Sequence, residues 1–452
     1  MAAGRCGRTS RSSPGIWRAS LVGAHPRITV AIGPWACSTI GMRTTRRNFL
    51  QMALSTPVGA AFAGYQALAA PAEGLSKVTK IQALQLKDGR TLIRVDTDAG
   101  ISGYGECNTP GPAARSVISA YNGAGRLPNL AVIGKDPLAI QVHFHNMFYA
   151  YPQRRREIKV LSGIDMALWD LAGKILKQPV SKLLGGNFRD RVLLYSHATG
   201  GDYLSKEEWR DRAQRLKSDP RGFKAFKVDV HHALGINMQE VTPSIGPIEA
   251  RRIYQAYTLA REAFGDDIDI DVHCHCELDA PSAIKVAQAV EHINPLFFED
   301  PLAPEWSESW MALRRATRLP IMTGENMELP EWAIPFLNNQ AVDIFQPDII
   351  NSGGITGVKM IADLVARYRI PIALHNVSGL MLNMASQQLA AAVFNCPRIE
   401  CAAGADRIPW ATKNPIVIKN GYMEISTEPG LGVELNQEYL KTNRAEGEPW
   451  WG

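Results

Sequence analysis

IDID at 268–271, PLFFED at 295–300, PIMTGE at 320–325, VDIFQPD at 342–348, PIALH at 371–375 and RIE at 398–400 are variants of one pattern. Each is a short apolar run closing on a charged or polar residue, and amphipathic segments with helical spacing fill the intervals between them. The closing residues Asp271, Glu299, Glu325, Asp348, His375 and Glu400 lie 28, 26, 23, 27 and 25 positions apart, one βα unit per interval. Strands that are almost wholly apolar need helices over both faces, as in a buried parallel sheet. When such a sheet closes, all its strands open on one rim. The pattern therefore predicts an α/β fold with a modified (β/α)8 TIM barrel, and it brings these polar side chains to one mouth.

Upstream of the repeat the periodicity changes. KIQALQL, TLIRVDT and ISGYGE between residues 80 and 106 alternate, with Asp88-Gly89 and Asp98-Ala99-Gly100 as turns, which predicts a β-meander. Residues 110–150 mix helical stretches with Gly and Pro interruptions, and QRRREI at 153–158 reads as a basic, solvated helix start. Residues 161–186 predict a helix, with Ile164, Leu168, Leu171 and Ile175 on one face and Gln178-Pro179 stopping it. Leu193–Ser196 starts the βα pattern and GFKAFKVDV at 222–230 continues it, with Lys227 and Asp229 on the same side of a strand. After Glu400 short strands and turns replace the repeat. The expected organisation is a capping α+β domain at 75–190, a barrel at 191–410 and a C-terminal segment at 411–452 returning to the cap.

The formal net charge of +5 belongs to the N-terminus. Residues 1–69 hold eight arginines and no lysine or acid; the rest carries 41 basic against 44 acidic residues, a net charge of −3. Nothing there suggests a nucleic-acid surface. Thr45-Arg46-Arg47-Asn48-Phe49-Leu50 has the twin-arginine pattern, followed by a weakly apolar run and a small-residue cleavage site at Ala67-Leu68-Ala69. Residues 1–70 are therefore expected to be an export leader read by the twin-arginine machinery, with 1–41 arising from an upstream start and a periplasmic or exported product. The run is too broken by Thr56, Pro57 and glycines for a stable membrane span. Cleavage leaves Cys107, Cys274, Cys276, Cys396 and Cys401, an odd number that argues against a disulfide framework. Cys274-His275-Cys276 has no CxxC partner, so its thiols are not expected to bind metal.

Asp271, Glu299 and Glu325 would supply three carboxylates from consecutive strand ends. Such groups repel unless a cation neutralises them, and hard oxygens suit Mg²⁺. His375 with Asp348 makes a candidate base, since a carboxylate bonded to imidazole fixes its tautomer and raises its basicity. His273 lies two residues after Asp271 and can share its side of the strand.

SGIDMALWDLAGK (162–174), GFKAFKVD (222–229), FFEDP (297–301), TGEN (323–326), QPDIINSGGI (346–355) and ALHN (373–376) together resemble the enolase superfamily in its mandelate racemase-like branch. The resemblance spans residues 75–440 and implies a capping domain over a Mg²⁺-containing barrel that abstracts the proton α to a carboxylate. It implies Asp271, Glu299 and Glu325 as metal ligands, His375 and Asp348 as base dyad, and Glu400 as the acid on the substrate carboxylate. His273 matches the residue that protonates the departing 3-hydroxyl in acid-sugar dehydratases. Lys227 matches the first lysine of the family's KxK motif; Asp229 stands at the second, which removes the usual base on the opposite face. Cys274 and His275 stand where Gly-Arg is usual. The expected activity is dehydration of an aldonate-type sugar acid to a 2-keto-3-deoxy acid by a homo-oligomer, the alternatives being a racemase or epimerase of an α-hydroxy acid using His375 with Lys227, and a non-catalytic exported sugar-acid binder.

Overall fold

The computed structural model describes residues 76–451 except 120, 123–130, 151–156, 237–243, 403, 408 and 413–414. The expected export leader and most of the basic cluster at 153–158 lie outside the described residues. The meander forms as β1 (Val78–Gln85), β2 (Thr91–Thr97) and β3 (Ser102–Cys107), an antiparallel sheet in that order. Helices α1 (Gly111–Ser119), α2 (Ile140–Phe148) and α3 (Ile158–Leu176) pack on it. Gly103 and Gly105 of β3 let α3 come close, because a Cβ at either would strike backbone of Ala167 or Gly163. Ile164, Leu168 and Leu171 are fully buried in this capping core. Lys177, in the left-handed conformation, ends α3 just before Gln178-Pro179.

After a single-turn α4 (Val180–Leu183), the eight parallel strands follow. They are β4 (Arg191–His197), β5 (Ala225–Asp229), β6 (Asp269–His273), β7 (Phe297–Glu299), β8 (Ile321–Thr323), β9 (Ile344–Phe345), β10 (Ala373–Leu374) and β11 (Arg398–Glu400). Their ladder runs from β10 through β11 and β4 to β9. Parallel bridges Phe345–Ile372 and Asp348–His375 join β9 to β10 and close the circle. Helices α5 (Lys206–Lys217), α6 (Val230–Leu234), α7 (Pro247–Phe264), α8 (Ala280–Val290), α9 (Glu308–Ala316), α10 (Pro330–Asn339), α11 (Gly354–Ala366) and α12 (Leu380–Ala392) follow the first seven strands. Among the described residues no α-helix comes between β11 and α13 (Gln437–Asn443), so the barrel is modified by lacking its eighth.

Inside the barrel Tyr195, Ala225, Phe297, Met322, Ile344 and Ala373 form an apolar plug. Inward positions recur every second residue. On β5 this puts Lys227 and then Asp229 above Ala225; on β7 it puts Glu299 above Phe297. The C-terminal segment is used twice. Hairpin β12 (Ile418–Lys419) and β13 (Tyr422–Glu424) adds antiparallel to β4, so it first joins the barrel. The chain then returns to the cap, where Leu86 bridges Arg444 and the Gln85 N–H donates to Glu448. No helix among the described residues is long and apolar enough to cross a membrane. The five described cysteines are free.

Candidate active site

Every polar strand end sits at the C-terminal mouth. Lys227 is at its centre, with its side chain 1 % exposed and its Nζ 2.6 Å from Glu299 Oε1 and 2.8 Å from Glu400 Oε1. Burial alone would lower the lysine's pKa, but Glu299 and Glu400 outweigh it and hold it well above the usual range. These two carboxylates hold Lys227 in its charged form. Burial would likewise raise Glu400, yet Lys227, His375 and His197 hold it well below the carboxylate range. The His197 Nε2 stands 2.9 Å from Glu400 Oε1. Lys227 and His197 thus both crowd Glu400, and both can donate to an incoming carboxylate beside it.

His375 donates Nδ1–H to Asp348 Oδ2 at 2.6 Å. Asp348 is pinned in turn by the N–H of Ile350 at 2.6 Å. The other nitrogen, Nε2, faces Glu325 Oε2 at 3.2 Å and Glu400 Oε2 at 3.9 Å. Burial lowers the pKa of this imidazole, but Glu325, Glu400 and Asp348 together push it up to about 10. A cation on Glu325 would cancel much of that pull and bring His375 back toward the range of a working base.

His273 is its counterpart. Its Nδ1 lies 2.5 Å from Asp229 Oδ1, and Nε2 lies 3.6 Å from Glu299 Oε1. Burial and Lys227 disfavour its charged form, yet Glu299 and Asp229 outweigh them and raise its pKa. Asp229 accordingly has a role that its replacement of a lysine left open: it orients His273.

Glu299 and Glu325 share a compact group with His273, one potential ligand atom from each lying within 4.8 Å of the others. Asp271 stands one pleat deeper, interacts with Glu299, and lies outside that group. Both its oxygens and Glu299 Oε2 are buried without a hydrogen-bond partner. Burial, and then Glu299, push Asp271 well above the usual carboxylate range. Orphaned, fully buried carboxylate oxygens are costly and rare. They are hard donors, and together with Glu325 they fit a divalent cation.

Three contributors were not singled out from sequence. His197 ends β4, the Gln346 Nε2 donates to Glu299 Oε1 at 2.7 Å and to the Tyr195 hydroxyl at 2.9 Å, and Asp300 accepts from the Thr323 hydroxyl. His197 closes an apolar run just as His375 does, and Gln346 precedes Asp348 by two residues. Those were usable signals. Asp300 directly follows Glu299 in the FFEDP motif, and its φ of +43° departs from strand geometry.

A capping α+β domain over a parallel barrel with acids, a carboxylate-held histidine and a buried lysine at its mouth is an enolase-type arrangement. The family comparisons agree. Residues 81–185 match the mandelate racemase/muconate lactonizing enzyme N-terminal domain, and residues 208–439 match the enolase C-terminal domain-like family. The chain belongs to the enolase superfamily, whose members use a divalent metal. It is 31 % identical to D-gluconate dehydratase of Thermoproteus tenax over 78 % of this chain and 70 % of that one. It is 30 % identical to D-xylonate dehydratase of Haloferax volcanii, covering 82 % and 90 %. D-galactonate dehydratase of Pectobacterium atrosepticum is 31 % identical, covering 83 % and 96 %. Among solved structures, a mandelate racemase/muconate lactonizing enzyme-like protein from Rubrobacter xylanophilus is 30 % identical with a TM-score of 0.73, covering 83 % of this chain and 99 % of that one.

Proposed function

We propose that this protein is a Mg²⁺-dependent dehydratase converting a sugar acid of the aldonate type to a 2-keto-3-deoxy acid. One observation carries the reading: two imidazoles, His375 and His273, flank the carboxylates, and each has its Nδ1 held by its own acid at 2.6 and 2.5 Å. Two fixed imidazoles suit a reaction that needs one proton removed and another delivered.

Lys227 and His197 bind and orient the substrate carboxylate. His375 Nε2 takes the proton from C2, with Asp348 steadying the imidazolium that forms. Negative charge that develops on the substrate carboxylate meets Lys227, which is already in place and needs no reorganisation. His273 passes a proton to the 3-hydroxyl as the C3–O bond breaks, water leaves, and the enol tautomerises to the 2-keto acid. A divalent cation held by Asp271, Glu299 and Glu325 would supply Lewis-acid stabilisation of that same charge. Racemisation would need a base opposite His375, and Asp229 stands where the family's usual second lysine would be, which weighs against it.

The oxygen-rich donor set supports Mg²⁺ as the ion. Export through the twin-arginine route and homo-oligomeric assembly belong to the same proposal. The test is a screen of aldonates for 2-keto-3-deoxy products with Mg²⁺ present. Recovered substrate inverted at C2 without keto acid would instead establish an epimerase, and binding of acid sugars without exchange or turnover would establish a non-catalytic binder.

A further inference from the structure

Beside the carboxylates lies a second polar cluster, of which the proposed reaction uses only Asp229. The chain turns directly from β5 into α6, which places His231 and His232 next to Asp229. We propose that Asp229, His231 and His232, with His275 alongside, form a second metal site at the barrel mouth, selective for an imidazole-seeking divalent ion such as Zn²⁺.

One potential ligand atom from each of Asp229, His231 and His232 lies within 4.8 Å of the other two. Asp229, His273 and His275 meet the same condition. The two oxygens of Asp229 divide the work: Oδ1 holds His273 at 2.5 Å, while Oδ2 stands 3.7 Å from His232 Nε2. That second distance is too long for a hydrogen bond. It is close to the roughly 3.4 Å that separates two ligands sharing a tetrahedral zinc, each about 2.0–2.1 Å from the ion. His231 is only 6 % exposed, and its Nδ1 has no hydrogen-bond partner; the buried Nδ1 of His275 has none either. The ring centroid of His231 lies 4.2 Å from that of His232 and 5.4 Å from that of His275. Crowded imidazoles with idle buried nitrogens are poor packing unless something accepts their lone pairs.

Donor type separates the two sites. Three carboxylates suit Mg²⁺, whereas imidazoles with one carboxylate suit zinc, copper or nickel. Asp229 would connect the sites, because the ion would draw on the carboxylate that orients His273.

The test uses the purified chain, stripped with chelator and held in excess Mg²⁺, titrated with Co²⁺ as a spectroscopic stand-in for Zn²⁺. The expected result is one equivalent of Co²⁺ with imidazole-type ligand-field bands, displaced by Zn²⁺. His232→Gln, at a partly exposed position, should weaken binding by more than about tenfold, since even outer partners of a metal are worth that much. His231→Gln should do the same, with melting temperature confirming that each variant folds. Asp271→Asn should leave the bands in place. Absence of Co²⁺ binding under Mg²⁺ excess would overturn the proposal. So would binding that Asp271→Asn abolishes and His232→Gln leaves unchanged.

Discussion

Replacing Lys227 by methionine isolates the electrostatics that hold the mouth together. The side chain is nearly isosteric, so packing is kept while the buried cation between Glu299 and Glu400 is lost. Both oxygens of Asp271 already lack a hydrogen-bond partner, so three buried carboxylates would face one another with only the nearby imidazoles of His197, His273 and His375 as relief. Removing one member of a buried pair costs about 3–5 kcal/mol. With about 2.1 cal/mol/K of unfolding entropy per residue over roughly 380 residues after leader removal, that corresponds to a fall in Tm of about 4–6 °C. Calorimetry of the chelator-treated protein would measure it. Two further readouts separate charge from packing. Glu400→Gln added to Lys227→Met should recover part of the loss, because it removes one of the stranded charges. Mg²⁺ should raise the Tm of Lys227→Met more than that of the unmodified protein, because the ion relieves a larger repulsion. A Tm within 1 °C of the parent in chelator, on a scale of about 4 °C expected from buried-pair loss, would refute the reasoning. A double variant no more stable than the single one would do so as well.

The same contacts, and the leader, predict three further outcomes. Asp229→Asn weakens a charge-assisted bond to His273 worth about 1.5–3 kcal/mol, so dehydration should slow about 10- to 100-fold while C2 exchange persists, both read by NMR in D₂O. Asp165, buried in α3, accepts from the N–H and hydroxyl of Thr356 at the start of α11, and burial pushes its pKa up to about 7. The folded chain then holds the extra proton between about pH 4 and 7, so this contribution to stability is present at low pH and fades as pH rises through that window. Urea unfolding should show the parent losing stability relative to Asp165→Asn from pH 4 to 7, by up to about 4 kcal/mol; a constant difference would contradict the assignment. Replacing Arg46 and Arg47 together by Lys should trap the full-length precursor inside the cell, seen by fractionation and immunoblotting.

The strand ends were legible because a charge closing an apolar run stands out, and its return once per βα interval is what a barrel mouth requires. Their spacing carried the barrel, and the Asp-Gly turns carried the meander. Other determinants were hidden because their meaning lies in contacts far apart in sequence. Glu106 ends the hairpin motif GYGE and reads as a solvated strand end. It is in fact fully buried and accepts from the N–H groups of Gly379 and Met381 at 2.6 and 3.1 Å, tying the cap to the start of α12 just past His375. Asp165 sits mid-helix and performs the same service for α11. Lys227 was marked by its motif, but its pairing with Glu299 and Glu400 shows only once the barrel closes around it. Short strands past Glu400 were expected, but the pairing of the hairpin at 418–424 with β4 was hidden, because that partner lies more than 200 residues away.

The proposed chemistry rests on a division of labour in which His375 takes the C2 proton and His273 delivers the one that leaves with the 3-hydroxyl. Deuterium incorporation at C2 of recovered substrate, followed alongside keto-acid formation, separates the two roles in His375→Asn and His273→Asn, in D₂O with Mg²⁺. His375→Asn should lose both exchange and product, while His273→Asn should keep exchange and lose product. Equal loss of both in His273→Asn, or exchange surviving in His375→Asn, would contradict it.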